Sequence, residues 1–190
     1  MVEKMSLQCR RMMGVATEYC TFIDNFNGRG DGLDRRVDWV LRLEKLLPCL
    51  HVAVIALQEP AESVGHYRLH IDDQRCELFL RLNMALQSDQ RFWARYEAGD
   101  ARRQSRQELC ERMADNLTDI YFDLKYGLEL VAENPAQATS EWQRSFYAHW
   151  GKHLLDAECW LHALDAGGEP PHLPEWRWPN LPSYASHQGC

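Results

Sequence analysis

The sequence predicts an all-α protein: a single-domain bundle of five or six helices with an irregular Pro/Trp-rich C-terminal tail. Two observations support this fold class. Apolar residues recur every three or four positions along most of the chain, which is the period of an amphipathic helix. The apolar stretch 52–57 could form a strand in isolation, but no second stretch is available to pair with it.

The composition is that of a globular protein with one core. The chain has 190 residues, of which 45% are hydrophobic and 26% are charged, and a chain of this length can bury roughly 70% of its unfolded surface. The net charge of −7 disfavours binding to a phosphate backbone, which requires a basic face. The longest apolar stretch, residues 46–57, is too short to cross a membrane.

The cysteines and the amino terminus predict a cytoplasmic protein. Seven cysteines are present, none of them in a CxxC motif, and six fall within helical patterns. This usage is typical of reduced thiols rather than of a disulfide framework or a zinc knuckle. The amino terminus also lacks the continuous apolar segment of a secretory signal.

The first half of the chain predicts three helices. The first spans 6–26 with Ser6 as its N-cap, and the glycines that follow it indicate a turn rather than a phosphate-binding loop. The second spans 33–58 and contains Pro48, which should kink it or split it into two. After a loop over 59–71, Asp72 or Asp73 caps a third helix. This helix carries Cys76, Phe79, Leu80, Asn83 and Leu86.

The fourth helix has the clearest amphipathic pattern. Ser105 and Glu108 form a capping-box pattern at its start, and Asn134-Pro135 ends it. Its apolar ladder is Leu109, Met113, Leu117, Ile120, Leu124, Leu128 and Val131. The conformation between the third and fourth helices, within 59–104, is not determined by any pattern.

The last helix is expected to begin at Thr139 or Ser140, to end at Ala166 and to pair with the fourth as a hairpin. Its inward face should hold Trp142, Phe146, Trp150, His153, Ala157, Trp160, Leu161 and Leu164. Gly167-Gly168 stops it. We therefore divide the chain into a helical bundle domain, 1–168, and an irregular tail, 169–190, whose aromatic residues pack on the bundle.

Three aspartates of the fourth helix lie on one face. Asp115, Asp119 and Asp123 follow at i,i+4 spacing opposite the apolar ladder, with Tyr126 beside them. Aligned carboxylates repel by roughly 0.2–0.5 kcal/mol per neighbouring pair. The face is either solvated, with salt or basic side chains relieving the repulsion, or partly covered by aromatic residues as a groove for a cation or a basic partner.

Two histidines of the last helix have the same spacing. His149 and His153 can chelate a metal ion together, or they can be core histidines that hydrogen-bond a neighbouring helix. In a hairpin that turns near residue 135 they lie level with Asp119 and Asp123. The directions of the side chains conflict, because those aspartates point away from the apolar ladder. They can meet the histidines only if the fourth helix is packed on both sides. Glu18 and Asp24 of the first helix could complete such a cluster.

Two passages resemble a known family. ATEYCTFIDN, residues 16–25, is similar to the opening of the uncharacterised bacterial domain-of-unknown-function family numbered 5063. LTDIYFDLKYGLEL, residues 117–130, and EWQRSFYAHWGKHLLDAECWLHAL, residues 141–164, resemble its most recognisable block. The resemblance implies an all-helical domain of similar length. It implies no activity, cofactor or catalytic residue.

The leading functional hypothesis is a cytosolic interaction or regulatory domain with an acidic–aromatic surface. The alternative is a metal-binding protein or metal-dependent hydrolase with Asp119, Asp123, His149 and His153 as ligands. The candidate binding residues are Asp119, Asp123, Tyr126, Trp142, His149 and His153. HExxH, GxSxG and P-loop patterns are absent, and the pair of Glu-x-x-His motifs that a ferritin-like di-iron site requires does not exist. We expect no cofactor, an unknown protein partner, no nucleic-acid or membrane binding, and a monomer or homodimer.

Overall fold

Six α-helices and one π-helical turn make up the described part of the chain. The computed structural model describes residues 5–26, 38–57, 72–88 and 105–165, and no strand occurs in these ranges. The α-helices are α1 (Leu7–Asp24), α2 (Asp38–Ile55), α3 (Asp72–Ser88), α4 (Arg106–Glu133), α5 (Pro135–Ser145) and α6 (Gly151–Asp165), and the π turn is Phe146–Trp150. The predicted all-α fold class is confirmed.

α1 begins where the sequence predicts, whereas α2 is described from Asp38 and its predicted start at residue 33 lies outside the described residues. The hydroxyl of Ser6 accepts a hydrogen bond from the Cys9 N–H at 3.1 Å, as an N-cap does. α2 contains Pro48 and continues on both sides of it, so the chain is not split into two helices there. No helix in the described ranges is long and apolar enough to cross a membrane.

α3 begins at Asp72, and only part of its apolar surface is buried. The buried side chains are Leu78, Leu82, Ala85 and Leu86, whereas Leu80 is exposed. Apolar residues occur on several sides of this helix, so the helical period alone does not select one stripe. Contact with α4 selects it.

α4 is the central helix of the bundle. The capping box at its start is formed, because the Ser105 N–H donates to Glu108 Oε2 at 2.7 Å and the Glu108 N–H donates to the Ser105 hydroxyl. The predicted ladder is buried from Leu109 to Leu124, and Leu128 and Val131 are partly buried. α4 packs against α1, α3, α5 and α6. It is therefore covered on more than one side.

The last helix of the prediction begins earlier and is interrupted. Asn134 ends α4 and also caps α5, since its Oδ1 accepts from the N–H groups of Ala136 and Gln137 at 3.1 and 3.2 Å. Pro135 is the first residue of α5, a position where its missing N–H has no cost. The predicted start at Thr139 or Ser140 is wrong, because the prediction treats Asn134 only as the end of the fourth helix and not as the N-cap of the next one.

The predicted inward face of the hairpin is confirmed. It comprises Trp142, Phe146, Trp150, His153, Ala157, Trp160 and Leu161, all buried. The π turn separates α5 from α6, and its wide i→i+5 bond runs from the Gly151 N–H to the Phe146 carbonyl. The side chain of Leu164, the glycine-rich turn after α1, the loop over 59–71 and the tail with its boundary at 168 lie outside the described residues.

Most of the described cysteines are free thiols. Cys9, Cys20 and Cys110 are buried, Cys49 is exposed and Cys159 is half-buried. Cys76 is disulfide-bonded, so the expectation of reduced thiols throughout was wrong for this residue. The cytoplasmic location stays a prediction.

Candidate metal centre

Two of the three aspartates on this face of α4 are buried rather than solvated. Asp119 and Asp123 are 7% and 4% exposed, and the side chain of Asp115 is 43% exposed. Arg75 of α3 contacts two of these aspartates, and the histidines of the hairpin contact them from the other direction. α4 is thus packed on both sides, so the aspartates opposite its apolar ladder can contact the histidines.

The two oxygens of Asp119 contact different helices. Oδ1 accepts from Arg75 Nε at 2.7 Å, and the same guanidinium donates to Asp115 Oδ1 at 2.6 Å. Oδ2 lies 3.0 Å from His153 Nε2 and 3.8 Å from His149 Nε2. One oxygen is therefore held by an ion pair, and the other faces two imidazole rings.

Asp123 orients the ring of His149. The Nδ1 atom of His149 lies 2.7 Å from Asp123 Oδ2. Because a carboxylate only accepts hydrogen bonds, Nδ1 is the donor and carries the proton. In the neutral ring the lone pair then resides on Nε2, the nitrogen that faces Asp119.

A chain of polar side chains orients His153 in the same way. Its Nδ1 lies 2.9 Å from Asn116 Oδ1, and the amide nitrogen of Asn116 donates to Asp156 Oδ2 at 2.7 Å. Arg112 in turn pairs with Asp156 through two hydrogen bonds. Because the Asp156 carboxylate must face the amide NH₂, the Asn116 oxygen faces His153 and accepts from Nδ1.

The second nitrogen of His153 has no hydrogen-bond partner. His153 is 8% exposed, and its Nε2 is buried. Asp119 Oδ2 is near enough at 3.0 Å, but the direction of the contact does not meet hydrogen-bond geometry. A buried polar atom without a partner is uncommon in folded proteins, and a bound ion is one of its standard explanations.

Three ligand atoms converge at this point. A carboxylate oxygen of Asp119 and one nitrogen each of His149 and His153 lie within 4.8 Å of one another. A tetrahedral ion with bonds of about 2.0–2.2 Å separates its ligands by roughly 3.3 Å. The distances of 3.0 and 3.8 Å between Asp119 Oδ2 and the two Nε2 atoms lie on either side of that value.

Asp119 has the charge that a ligand requires. Burial raises the pKa of its carboxyl, but the nearby His153 and Arg75 outweigh burial and hold the pKa well below its usual range. Asp119 is therefore a carboxylate at neutral pH. Metal ligands must be deprotonated in the same way.

The remaining predicted residues do not join the cluster. Trp142 is fully buried and donates its indole N–H to the Leu124 carbonyl at 3.1 Å, and Tyr126 is half-buried. Glu18 is exposed near Arg42, and Asp24 accepts a hydrogen bond from the Tyr121 hydroxyl at 2.7 Å. The acidic–aromatic set thus does not form one continuous surface.

Two contributors were missed in the sequence. Asn116 carried a usable signal, because asparagine is disfavoured inside helices and lies here one turn before Asp119. Arg75 carried none, since its role depends on how α3 docks on α4. Cys20 of α1 does not join the cluster: its thiol donates to the Tyr121 carbonyl at 3.9 Å, and burial raises its pKa to about 12.

Comparison with known proteins agrees with the helical fold. A family model described as "Domain of unknown function (DUF5063)" matches residues 3–167. The crystal structure of protein BF1032 from Bacteroides fragilis is similar, with a TM-score of 0.60 and 20% sequence identity over 84% of this chain and 92% of that chain. At this identity the likeness concerns the fold alone. No curated protein matches the chain.

Proposed function

Since the chain belongs to the DUF5063 family, whose description assigns no activity, we propose that it binds a divalent transition-metal ion between α4 and the hairpin. Asp119, His149 and His153 would be the ligands. The observation that carries this proposal is the buried Nε2 of His153, which has no hydrogen-bond partner and lies 3.0 Å from a carboxylate oxygen. A cation between these atoms would satisfy both lone pairs.

The surroundings of the histidines support the same proposal. Metal-binding histidines almost always donate their other ring nitrogen to a carboxylate, carbonyl or water, which fixes the tautomer. His149 has Asp123 in this role, and His153 has the side-chain carbonyl of Asn116. The sequence hypothesis placed Asp123 among the ligands. Its hydrogen bond to His149 Nδ1 favours a supporting role instead.

The ligand types favour a class of metal. Two imidazoles and one carboxylate suit Zn²⁺, Fe²⁺ and neighbouring first-row ions, whereas Mg²⁺ and Ca²⁺ prefer oxygen ligands. Three protein ligands leave at least one coordination position open. His149 is 26% exposed at its side chain, so water could reach this position. If a hydrolytic activity exists, it would use a metal-bound water there.

The interaction hypothesis has less support. An acidic–aromatic docking surface needs exposed side chains, and Asp119, Asp123 and Trp142 are buried. A partner that recognises the remaining exposed carboxylates would not need the histidines. Burial of the shared residues is therefore the observation that favours the metal.

The test is metal analysis of the full chain purified without a histidine tag. After loading with Zn²⁺, Fe²⁺, Co²⁺ or Mn²⁺ and removal of excess, we expect one ion per chain. His149→Ala and Asp119→Asn should each lose it. The first removes a partly exposed ring and the second is nearly isosteric, so both variants should stay folded by circular dichroism.

Two matched variants control this experiment. His162→Ala removes an exposed histidine and Asp73→Asn an exposed aspartate, and neither residue is among the proposed ligands. Both should retain the metal. The proposal fails if no ion is retained stoichiometrically, or if the ligand variants retain it as well as the controls do.

A further inference from the structure

The polar chain behind His153 extends three side chains away from the proposed metal. His153 Nδ1 lies 2.9 Å from Asn116 Oδ1, and Asn116 Nδ2 donates to Asp156 Oδ2 at 2.7 Å. Arg112 donates from Nε to the same Asp156 oxygen at 2.7 Å, and its Nη2 pairs with Oδ1. Asn116 is buried, Asp156 is mostly buried and Arg112 is partly exposed. The chain therefore connects a partly exposed arginine with a buried histidine.

The orientation of Asn116 within this chain depends on Asp156. An asparagine amide can exchange the positions of its oxygen and nitrogen by rotating, so its neighbours determine which of the two faces His153. Because a carboxylate only accepts hydrogen bonds, Asp156 requires the NH₂ group of Asn116 on its own side. Arg112 holds both Asp156 oxygens and keeps the carboxylate in place. The Asn116 oxygen is thus fixed toward His153.

The orientation of Asn116 in turn selects the ring nitrogen of His153 that keeps a lone pair. The amide oxygen only accepts, so Nδ1 carries the proton and the lone pair of the neutral ring is on Nε2. With the amide reversed, its NH₂ group would donate to Nδ1, and the proton would reside on Nε2. That proton would face Asp119 Oδ2, 3.0 Å away, and occupy the place of the metal. Asp115 Oδ2 is 4.0 Å from Nδ1, too far for a hydrogen bond, and does not replace Asn116.

We propose that Asp156 is a positioning residue of the metal centre. It is not a ligand; acting through Asn116, it keeps the Nε2 lone pair of His153 directed at the metal. This role rests on the proposed metal site and goes beyond it, because Asp156 lies two side chains behind the ion. Loss of such outer partners typically weakens metal binding by about 10–100-fold. His149 has a shorter arrangement, because the Asp123 carboxylate itself accepts from its Nδ1.

The test exchanges amide and carboxylate groups at nearly constant size. Asp156→Asn removes the requirement for a donor, since the new amide can face Asn116 with either its oxygen or its nitrogen. Co²⁺ binding by the full chain, followed by visible absorption, should weaken at least tenfold. Combining Asp156→Asn with Asn116→Asp exchanges the two groups. A carboxylate that only accepts then faces His153, and the amide behind it donates to that carboxylate, so the double variant should recover most of the lost affinity.

A second measurement follows His153 without any metal. In chelator-treated protein with ¹⁵N-labelled histidine, at a pH where the ring is neutral, nitrogen–proton couplings show which ring nitrogen carries the proton. Wild type and the double variant should carry it on Nδ1, whereas the form protonated on Nε2 should appear in Asp156→Asn. Asp73→Asn, which changes an exposed aspartate of α3, should match wild type in both measurements.

The two measurements separate failure of the metal site from failure of the role of Asp156. If wild type retains no metal, the proposed function fails, and the protonated nitrogen of His153 alone decides whether Asp156 orients the ring. The role of Asp156 is overturned if Asp156→Asn keeps the proton on Nδ1 and binds Co²⁺ as wild type does. It is also overturned if the double variant recovers neither the affinity nor the position of the proton.

Discussion

Asp119 joins three parts of the molecule through one carboxylate. Its Oδ1 pairs with Arg75 of α3, and its Oδ2 faces His149 of the π turn and His153 of α6. Desolvation alone would favour the neutral acid, but His153 and Arg75 reverse the balance and lower the pKa of this carboxyl. Stability and the proposed metal binding therefore depend on the same ionised group.

The lowered pKa of Asp119 predicts a dependence of stability on pH. The unfolded pKa of an aspartate is about 3.9, and the folded value lies below it. The contribution is present above about pH 4 and is lost as the pH falls through the folded pKa. With chelator present, the difference in free energy of unfolding between wild type and Asp119→Asn should shrink as the pH falls from 5 to 2.5.

Urea unfolding at a series of pH values measures this difference. Asp73→Asn, at an exposed position of α3, is the control for loss of one carboxylate. A difference between wild type and Asp119→Asn that stays constant or grows in acid would contradict the prediction.

At the scale of elements, the contact between α4 and α5 depends on a glycine. A Cβ atom at Gly127 would overlap the indole of Trp142, which is fully buried. The absence of a side chain lets Trp142 approach α4 and donate to the Leu124 carbonyl. This contact fixes the base of the hairpin and hence the height of the histidines.

The two helical glycines Gly127 and Gly14 should respond oppositely to alanine. Gly127→Ala should lower the free energy of unfolding by about 1–3 kcal/mol, because a packed aromatic core has no room for the methyl group. Gly14 is exposed on α1 with open space around its Cα. There alanine should raise stability by about 0.5–1 kcal/mol through helix propensity. Equal effects of the two changes in thermal or urea unfolding would refute the proposed role of Gly127.

The π turn is the other element that bears on the site. It carries His149, and its last residue, Trp150, precedes the helix that carries His153. A Cβ at Gly151 would crowd the Phe146 carbonyl and ring, so glycine permits the wide turn. Single π turns inside helices occur frequently at functional sites, which agrees with the position of this one.

At the scale of the whole molecule, Arg75 connects the docking of α3 to the polar cluster. Its guanidinium joins Asp115 and Asp119, and Asp119 is nearly buried. Removing one partner of a buried pair typically costs 3–5 kcal/mol. Because Arg75 is 30% exposed, water can replace part of its contribution.

We therefore expect Arg75→Met to destabilise the fold by about 1–3 kcal/mol. Arg10→Met, at an exposed position of α1, should change stability by no more than about 0.5 kcal/mol. Arg75→Lys should fall between wild type and Arg75→Met, since lysine keeps the charge but not the two-sided geometry. Urea midpoints of the three variants test this order, and a midpoint for Arg75→Met equal to that of Arg10→Met would exclude the role.

Local signals in the sequence predict the helices, several of their ends and much of the core. These features are local: the capping box at Ser105 and Glu108, the ladder from Leu109 to Leu124 and the inward tryptophans follow from the helical period and from groups a few residues apart. The same local rules predict that His149 and His153 lie level with Asp119 and Asp123 along the hairpin. They also missed the double role of Asn134, whose side chain serves the next helix.

The direction in which the aspartates of α4 face depends on the packing of the other helices around it. The apolar ladder of α4 indicates one buried side. It does not determine whether the opposite side, which carries the aspartates, is solvated or covered. α3 and the hairpin cover that side. The carboxylates can be buried there because Arg75 of α3 pairs with Asp119, and because His149 and His153 of the hairpin contact Asp123 and Asp119. Such burial requires partners from residues 26 to 44 positions away in the chain, and no pattern within a single helix encodes them.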